Sequence, residues 1–488
     1  MKQRSQSGTT TGLQETEPTR GAWATWRPLL LIALALRLVL TALPPYTIDM
    51  SGYIAWSRHL ASIGPTGLYE QFHVVYAPLF HYCLWLTGEC IEAFHLNFFM
   101  HGYAIKLWSV AADLIGAMLL LRYAARVGRA HAGMPFALLY LLNPAVVFNA
   151  SVWGQFDGIP AVMMLGVMLL FRSQKPVPAA WLFVAAVLVK PQSGLLAPLV
   201  LLLFLRATLS RPWKRALTCW FAAFLGGIAI YLVVVLPFYE PTALAATLPR
   251  WVDPFWWLFD LYLRSVQDYP FGTANAWNLW YVLGAQTLPD SGLFLGLSHA
   301  GWGLTLLAPF AVWSLWLAGR AAAPSQKSTA QGIPAPARES TARDIPAPGN
   351  AKARVPVGQT MLAAWLLLFA AYLFMTKMHE RYLVPALLMG FAATLTHRRL
   401  LAPLLGASLL SFLNMLWPYL ISFSEVYWLP PNHLPSLIGS AAMVLVFAWT
   451  CVSLMIKDRP GASPGEHQQS PLFAAQIEDK PDERRMTS

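Results

Sequence analysis

The chain of 488 residues is strongly apolar, with 57% hydrophobic and only 12% charged residues and a mean hydropathy of +0.49. This composition argues against a soluble fold, because ordinary soluble proteins carry about a quarter charged residues. The net charge of +11 does not indicate nucleic-acid binding, because the basic residues occur in short clusters between apolar runs. The four cysteines lack metal-ligand spacing and support no disulfide framework.

Apolar runs recur from Leu29 almost to Ile456, and many approach the ~20 residues that a helix needs to cross the hydrocarbon layer. The runs are continuous rather than alternating at every second residue, which disfavours a transmembrane barrel. The sequence therefore predicts an all-α polytopic membrane protein. Placing every basic cluster in the cytoplasm gives about twelve spans with both termini inside. The clusters are Lys2 to Arg27, Arg122 to Arg129, Arg172 with Lys175, Arg206 to Arg215, Arg320 to Arg354, Arg398 with Arg399, and Lys457.

This threading divides the chain into consecutive regions. They are a cytoplasmic tail 1–27, a membrane region 28–319 with outer loops 45–98 and 239–293, a disordered cytoplasmic linker 320–358, C-terminal transmembrane helices 359–456, and a cytoplasmic tail 457–488. Shorter outer segments are predicted at 151–157, 376–381 and 417–433. We expect the first helix to be a retained anchor and segment 76–94 to form a helix at the outer interface.

Asp49 is the first informative polar residue, because an ionisable group beside the hydrocarbon is costly and needs a reason. It follows the first helix, shortly after the helix-breaking Pro44 and Pro45. It could be the N-cap of a helix over Met50 to Leu60. Spacing alone gives this structural interpretation the same weight as a functional one.

Gln155 and Asp157 interrupt the next apolar stretch. Gly154 and Gly158 flank them and supply a tight bend. A plain turn also uses glycine and aspartate, so the two interpretations again have similar weight.

Two further polar groups lie at predicted helix ends. Lys190 ends a short apolar helix and is followed closely by Gln192, although snorkelling of the lysine to an interface is the simpler explanation. His379, Glu380 and Arg381 form a dense cluster between two apolar helices. A surface turn would more often use Gly, Asn or Ser, so the functional interpretation is favoured for this cluster.

Arg37 and Asp113 lie deeper, inside predicted spans. An unpaired buried charge is very costly, so we expect these two residues to pair with each other in a structural role.

The sequence segments around the polar residues carry a family resemblance. The chain resembles the GT-C-type integral membrane glycosyltransferases, most closely the bacterial mannosyltransferases related to GPI mannosyltransferase II. The matching segments follow the family's order from Asp49 to Leu387, and linker 321–357 has no counterpart in the family pattern. They are IDMSGYIAWSRHLASIGPTGLYE, YAPLFHYCLW, VWGQFDGIPAVMML, VKPQSGLLAPL, ANAWNLW and KMHERYLVPAL.

The resemblance implies a GT-C-like bundle and an inverting transfer of a hexose, with mannose favoured. The donor would be a polyprenyl-phosphate sugar, and the acceptor a hydroxyl of a glycan, lipid or protein on the non-cytoplasmic face of the cell membrane. The acidic residue of the first outer loop maps to Asp49, which would act as the base. Arg381 and Lys190, helped by His379, would neutralise the leaving phosphate. The other expected donor-site residues are Gln155, Asp157, Gln192 and Glu380.

Metal dependence stays open. Asp49, Asp157 and Glu380 could share a divalent cation, for which Mg, Mn and Ca are all suited to carboxylate oxygens. The outer loop 239–293 is rich in tryptophans, which could stack on sugar rings, although interface anchoring is their commoner use. These tryptophans are Trp251, Trp256, Trp257, Trp277 and Trp280.

Two other functions compete with glycosyl transfer. A lipid-linked glycan transporter or flippase would also place charges within broken helices, but the chain shows no internal repeat. A ligase or polymerase of the O-antigen type would centre on a large outer loop, whereas the cluster at His379 lies in a short turn.

Overall fold

The computed structural model describes residues 20–242, 247, 249, 251–320 and 357–456. Most of the predicted N-terminal tail, the linker and the C-terminal tail therefore lie outside the described residues. The first helix begins at Arg20, so the last residues of the predicted tail 1–27 are helical.

The described chain is built mainly from α-helices. The helices are α1 Arg20–Thr41, α2 Thr47–Ser62, α3 Leu68–Gln71, α4 Leu79–Ala93, α5 Phe98–Arg126, α6 Ala130–Leu141, α7 Pro144–Val147, α8 Gly158–Arg172, α9 Pro176–Val189, α10 Ala197–Leu209, α11 Trp213–Val235, α12 Asp253–Gln267, α13 Leu279–Val282, α14 His299–Arg320, α15 Val357–Phe374, α16 Val384–Thr394, α17 Leu401–Ser422 and α18 Leu434–Met455. A π-helical turn covers Phe148–Trp153, and 3-10 turns cover Pro191–Leu196, Leu236–Phe238 and Arg398–Leu400. Strands β1 Leu293–Phe294 and β2 Leu297–Ser298 form a small antiparallel hairpin.

Several of these helices are suited to a bilayer. In the described part of the chain, 6 helices are long and apolar enough to cross a membrane, or 7 if the pair 130–141 and 144–153, bent by 50°, is one span. Apolar helices of 10–17 residues occur at 158–172, 176–189, 358–374 and 384–394. The all-α prediction is confirmed, and the helices indicate a multi-pass membrane protein. The count of about twelve spans stays a prediction, because helix length supports fewer.

Two of the short apolar helices, α8 and α9, connect a basic cluster at one end to a predicted site residue at the other. Helix α8 begins directly after Asp157 and ends at Arg172. Helix α9 runs back from Lys175 and ends just before Lys190. This antiparallel pair therefore brings Asp157 and Lys190 to the same end of the bundle and leaves the basic cluster at the other.

Two hydrophobic cores meet at the polar end. The larger core contains nearly all of α15 and α16 and extends to Trp153, whereas the smaller one joins α2 and α4 to Phe156. Helix α4 packs so closely on α2 that a Cβ on Gly88 would clash with the carbonyl oxygen of Ser57. A helix in segment 76–94 is thus present, and its interfacial position stays a prediction.

The predicted pairing of Arg37 with Asp113 is confirmed. The Arg37 Nη1 atom donates to Asp113 Oδ2 at 2.7 Å, and both side chains are buried. Tyr140 donates its hydroxyl to the other oxygen, Asp113 Oδ1, at 3.0 Å. The Arg37 Nε atom donates to the carbonyl of Leu141 at 3.1 Å. The ion pair therefore ties α1, α5 and α6 together inside the bundle.

We expect the variant Asp113→Ala to lower the free energy of unfolding by about 3–5 kcal/mol, because it leaves the Arg37 guanidinium buried without a counter-charge. Thermal unfolding in detergent measures the loss. The double variant Arg37→Met, Asp113→Leu should recover most of it, since it removes both charges and keeps the volume apolar. Equal destabilisation of the single and double variants would contradict this account.

Candidate functional site

Asp49 lies in the first turn of α2 and points its carboxylate across to another segment. The N-cap of α2 is Tyr46, so the N-cap interpretation of Asp49 is wrong. Its Oδ2 atom accepts hydrogen bonds from Trp153 Nε1 and from Gln155 Nε2, each at 2.7 Å. Tyr46 makes a parallel connection, because its backbone N–H donates to the carbonyl of Trp153 at 3.1 Å. The start of α2 is thereby fastened to residues 153–155.

The second carboxylate oxygen of Asp49 is available. Both hydrogen bonds end on Oδ2, and within the described residues no donor is placed on Oδ1. The side chain is half-buried and lines a large cavity. Asp49 thus combines a fixed orientation with one oxygen free to accept a proton from a ligand.

Trp153 organises this site, although it was not among the predicted site residues. Its indole ring is fully buried and stacks on Tyr46 with ring centroids 4.2 Å apart. The Arg381 guanidinium lies 5.8 Å from the centroid of the same indole ring. Trp153 therefore contacts the carboxylate of Asp49 through its N–H and the cation of Arg381 through its ring face.

The turn that carries Gln155 requires a glycine. Gly154 ends the π-helical turn at a φ of +89°, a conformation that side chains with a Cβ rarely adopt. A Cβ there would also lie 2.5 Å from Met50 Cε. The carbonyl of Asn149 accepts from the N–H groups of both Gly154 and Gln155, at 3.1 and 3.0 Å. The predicted tight bend at Gly154 is confirmed.

Gln155, Lys190 and Asp157 form a buried hydrogen-bonded chain behind Asp49. Lys190 Nζ donates to Gln155 Oε1 at 3.1 Å and to Asp157 Oδ1 at 2.5 Å. Because an ammonium only donates, it fixes the Gln155 oxygen on its own side and turns the Gln155 NH₂ toward Asp49. Lys190 is 2% exposed, so it does not snorkel to an interface. Burial lowers the pKa of Lys190, and the charge of Asp157 opposes that shift.

His379, Glu380 and Arg381 lie in the turn between α15 and α16, as predicted. Arg381 Nη1 donates to Glu380 Oε1 at 2.5 Å, and both side chains are buried. Burial lowers the pKa of Arg381, but the charges of Asp49 and Glu380 outweigh burial and hold that pKa well above its usual value. Burial raises the pKa of Glu380, and Arg381 opposes that shift. Glu380 thus serves as the counter-ion of Arg381.

His379 is a neutral imidazole in this setting. Burial, then the nearby cations Arg381 and Lys190, hold its pKa well below the ordinary 6.5. Its ring packs against Tyr269 and Tyr382, with centroids 4.5 and 4.9 Å away.

The pH dependence of stability follows from the lowered pKa of His379. Below pH 6.5 the unfolded chain takes up a proton on this residue and the folded chain does not, so its contribution to stability is lost as pH falls. Between about pH 7 and pH 5 we expect a loss of roughly 2 kcal/mol relative to the variant His379→Gln. Melting in detergent of the native protein and of the variant measures this difference. Parallel pH profiles for the two proteins would contradict it.

The large cavity has a volume of about 720 Å³ and is lined by four of the predicted site residues. These residues are Asp49, Gln192, His379 and Arg381. The volume lies in the range of about 300–1,000 Å³ that is typical of small-molecule sites. Aromatic side chains form much of the remaining wall, namely Tyr53, Trp56, Phe72, Tyr76, Tyr269 and Tyr382.

The other predicted residues lie around this cavity rather than in its wall. Asp157 and Lys190 line a narrow adjoining cavity of about 30 Å³, which shares Gln192 and Tyr382 with the large one. Gln155 is fully buried between Asp49 and Lys190. The polar residues thus converge, with an inner layer of buried groups supporting those that face the cavity.

One ion pair in the wall was not predicted. Lys377 Nζ lies 3.1 Å from Asp290 Oδ2 and donates to the carbonyl of Val266 at 2.9 Å. Both Lys377 and Asp290 line the large cavity. Lys377 stands two residues before His379, in the sequence segment KMHERYLVPAL that carries the family resemblance. Its place in that segment was the available sequence signal for Lys377 as a site residue.

The three carboxylates considered as metal ligands do not form a shared site. Among the described residues, no group of three or more His, Cys, Asp or Glu side chains is placed to hold a metal ion. Asp49 accepts from Trp153 and Gln155, Asp157 pairs with Lys190, and Glu380 pairs with Arg381.

None of the five tryptophans singled out in the loop 239–293 lines the large cavity. Trp257, Trp277 and Trp280 are buried, and Trp280 Nε1 donates to the carbonyl of Phe374 at 2.7 Å. Trp251 is 75% exposed. The buried tryptophans have a packing role, and any ring stacking on a ligand falls to the aromatic residues of the cavity wall.

A separate cavity of about 320 Å³ lies against the start of α2. Thr47, Met50 and Ser51 line it together with Phe98 and Lys106. Ser51 belongs to both this cavity and the large one, so the first turn of α2 divides the two.

No family model matches the chain, and no curated protein matches it.

Proposed function

We propose that the chain is a membrane glycosyltransferase that moves a hexose, with mannose favoured, from a polyprenyl-phosphate donor to an acceptor hydroxyl, with inversion. The observation that carries the proposal is the placement of Asp49 and Arg381 in the wall of one cavity, each in contact with Trp153. A base and a cation at one cavity are what displacement of a phosphate from an anomeric carbon requires. The sequence resemblance to GT-C-type mannosyltransferases supports the same reaction.

In the proposed reaction the acceptor oxygen attacks the anomeric carbon while the bond from that carbon to the phosphate oxygen breaks. Asp49 takes the proton of the acceptor hydroxyl on Oδ1, because Oδ2 already accepts from Trp153 and Gln155. The departing polyprenyl phosphate keeps the electron pair of the broken bond. Attack opposite the leaving group inverts the anomeric configuration.

The leaving phosphate would be met by the cations that line the large cavity. Arg381 is one, and its Nε atom is buried with no partner among the described residues. Lys377 is the other, and it takes the place that the sequence prediction gave to Lys190. Lys190 acts instead on the base, since it orients Gln155, which donates to Asp49.

A lipid-linked donor fits the composition of the cavity wall. Ile48, Val266 and Leu304 line the cavity and are also exposed on the protein surface. Leu304 belongs to α14, a helix long and apolar enough to cross a membrane. An apolar tail could leave the cavity past these side chains while its phosphate stays near Arg381.

The distribution of basic residues supports a site on the non-cytoplasmic face. Helices α8 and α16 begin beside the site and end at or just before the basic residues Arg172, Arg398 and Arg399. Arg172 donates to the carbonyl of Arg126, so the basic clusters at Arg172 and at Arg122 to Arg129 lie together. Basic residues favour the cytoplasmic side, which leaves Asp49 and Arg381 facing away from it.

The proposal is tested by reconstituting the chain in vesicles with polyprenyl-phosphate mannose or glucose, each radiolabelled in the sugar, and a panel of membrane and soluble glycan acceptors. We expect sugar to appear on one acceptor with the opposite anomeric configuration, as measured by NMR of the product. Movement of the intact donor across the bilayer without a new glycosidic bond would support a flippase instead. Transfer of a preassembled glycan in place of a single sugar would support a ligase or polymerase.

A further inference from the structure

We propose that α12 lies in the interface of the bilayer, with Phe259 and Leu263 among the lipid acyl chains. The inference concerns how the protein meets the membrane, and it does not rest on glycosyl transfer. Helix α12 has 15 residues, about 22 Å in length, which is too short to cross the ~30 Å hydrocarbon layer.

Three different faces run along α12. The first is buried against the protein and includes Trp257, Leu258 and Leu261. The second is apolar and exposed, and its members recur at intervals of four, four and three residues, which places them on one side of a helix. They are Phe255, Phe259, Leu263 and Val266.

The third face of α12 is polar. Asp260 and Arg264 lie there and pair with each other at 2.9 Å, and Gln267 is exposed beside them. Phe259 is 51% exposed and Leu263 43% exposed, so their apolar stripe is not covered by the rest of the described protein. A helix with a packed face, an apolar face and a polar face fits the boundary between lipid and water.

The protein surface next to the apolar stripe indicates that lipid covers it. Phe255 stacks on Tyr231 of α11 with ring centroids 4.7 Å apart, and α11 is long and apolar enough to cross a membrane. Val233 of α11 is exposed as well, so the lipid-facing surface of α11 continues onto α12. Trp251, just before α12, is exposed, and tryptophan is enriched at membrane interfaces.

The position of α12 relative to the helix ends agrees with an interfacial location. Tyr262 donates its hydroxyl to the carbonyl of Val187, near the end of α9, and Tyr231, near the end of α11, donates its hydroxyl to the carbonyl of Pro254 in α12. Helix α12 therefore packs against the ends of two bundle helices, on the side where Lys190 and the large cavity lie.

Nitroxide labels report directly on this location. Single cysteines replace Phe259, Leu263 or Gln267 in a full-length chain whose native Cys83, Cys90, Cys219 and Cys451 are alanine, reconstituted in vesicles of phosphatidylcholine and phosphatidylglycerol. We expect labels at 259 and 263 to collide several-fold more with oxygen than with a water-soluble nickel complex. The label at 267, on the polar face of the same helix, should show the reverse preference.

Two outcomes would overturn the proposal. One is water-like accessibility at both 259 and 263, and the other is dipolar coupling between labels at 259 on two copies of the chain, which would mean a protein partner covers the stripe. A lipid-soluble photoactivated diazirine applied to the unaltered chain gives a second measurement that needs no substitution. It should modify Phe259 and Leu263 and spare Gln267, and failure to modify the stripe would count against the proposal.

Discussion

The variant Asp49→Asn should lose most transfer activity, with kcat lower by about 10²–10⁴-fold. Asparagine has nearly the same shape and keeps an oxygen that can accept from Trp153 and Gln155, which bind Asp49 Oδ2 in the native site. The amide cannot take up the proton of the acceptor hydroxyl, so binding is preserved while proton transfer is removed. Initial rates with saturating polyprenyl-phosphate sugar and acceptor measure the effect.

Glu92→Gln is the matched control, because Glu92 is an exposed carboxylate at the end of α4 and away from the cavity wall. Its rate should equal that of the native chain. Unchanged kcat in Asp49→Asn would exclude the base role. A loss accompanied by an earlier melting transition would show that the substitution harmed the fold, and Asp49→Glu, which keeps a carboxylate, would then have to restore part of the rate for the assignment to stand.

Replacing Arg381 should also have a large effect. We expect Arg381→Gln to lower kcat by about 10²–10³-fold, because a fixed positive group at the developing phosphate charge is removed. Arg381→Lys keeps the charge but lacks the planar fork that pairs with two oxygens, so an intermediate loss is expected. The order native, lysine, glutamine in single-turnover rates is the diagnostic result.

Arg122→Gln serves as the control for loss of one positive charge, since Arg122 is exposed near the far end of α5. Binding of the donor separates the two possible roles of Arg381. If Arg381→Gln binds polyprenyl-phosphate sugar weakly but turns it over at the native rate, the guanidinium contributes to ground-state binding alone, and the proposed stabilisation of the leaving group is wrong.

The ionisable residues of the candidate site could be predicted from the sequence, but the contacts that orient them could not. Ionisable residues are rare in a membrane protein, so Asp49, Lys190 and Arg381 stood out, and the structure brings them together. Trp153 lies in the resemblance segment VWGQFDGIPAVMML, but it is not ionisable, and a tryptophan in an apolar stretch is indistinguishable from a core residue until its N–H is seen to bond Asp49.

The assignment of cations shows the same limit. Lys190 and Lys377 both follow apolar helices, and both lie in sequence segments that carry the family resemblance. Which of them faces the large cavity depends on the direction in which the chain leaves each helix, a tertiary property with no local signature. Lys190 turns inward to Asp157, whereas Lys377 reaches Asp290 in the cavity wall.

The class of the fold could be predicted from the sequence, whereas the number and length of its membrane helices could not. Apolar runs predicted an all-helical membrane protein, and the Arg37–Asp113 ion pair followed from the cost of a buried charge. Helix lengths did not follow, because apolar runs alone do not show where a helix breaks. The structure bends the run from Leu138 to Trp153 by 50° between α6 and α7, and the local signal for this break is Asn143, which caps α7, followed by Pro144.

The thin partition formed by the first turn of α2 has a mechanical consequence. Thr47 and Met50 line the cavity of about 320 Å³, Asp49 lines the large cavity, and Ser51 lines both. A shift of this turn that widens one cavity must narrow the other, and it moves the Asp49 carboxylate at the same time. The hydrogen bonds from Trp153 and Gln155 oppose such a shift, so the same two donors that aim the carboxylate also set how much room a bound molecule has on either side.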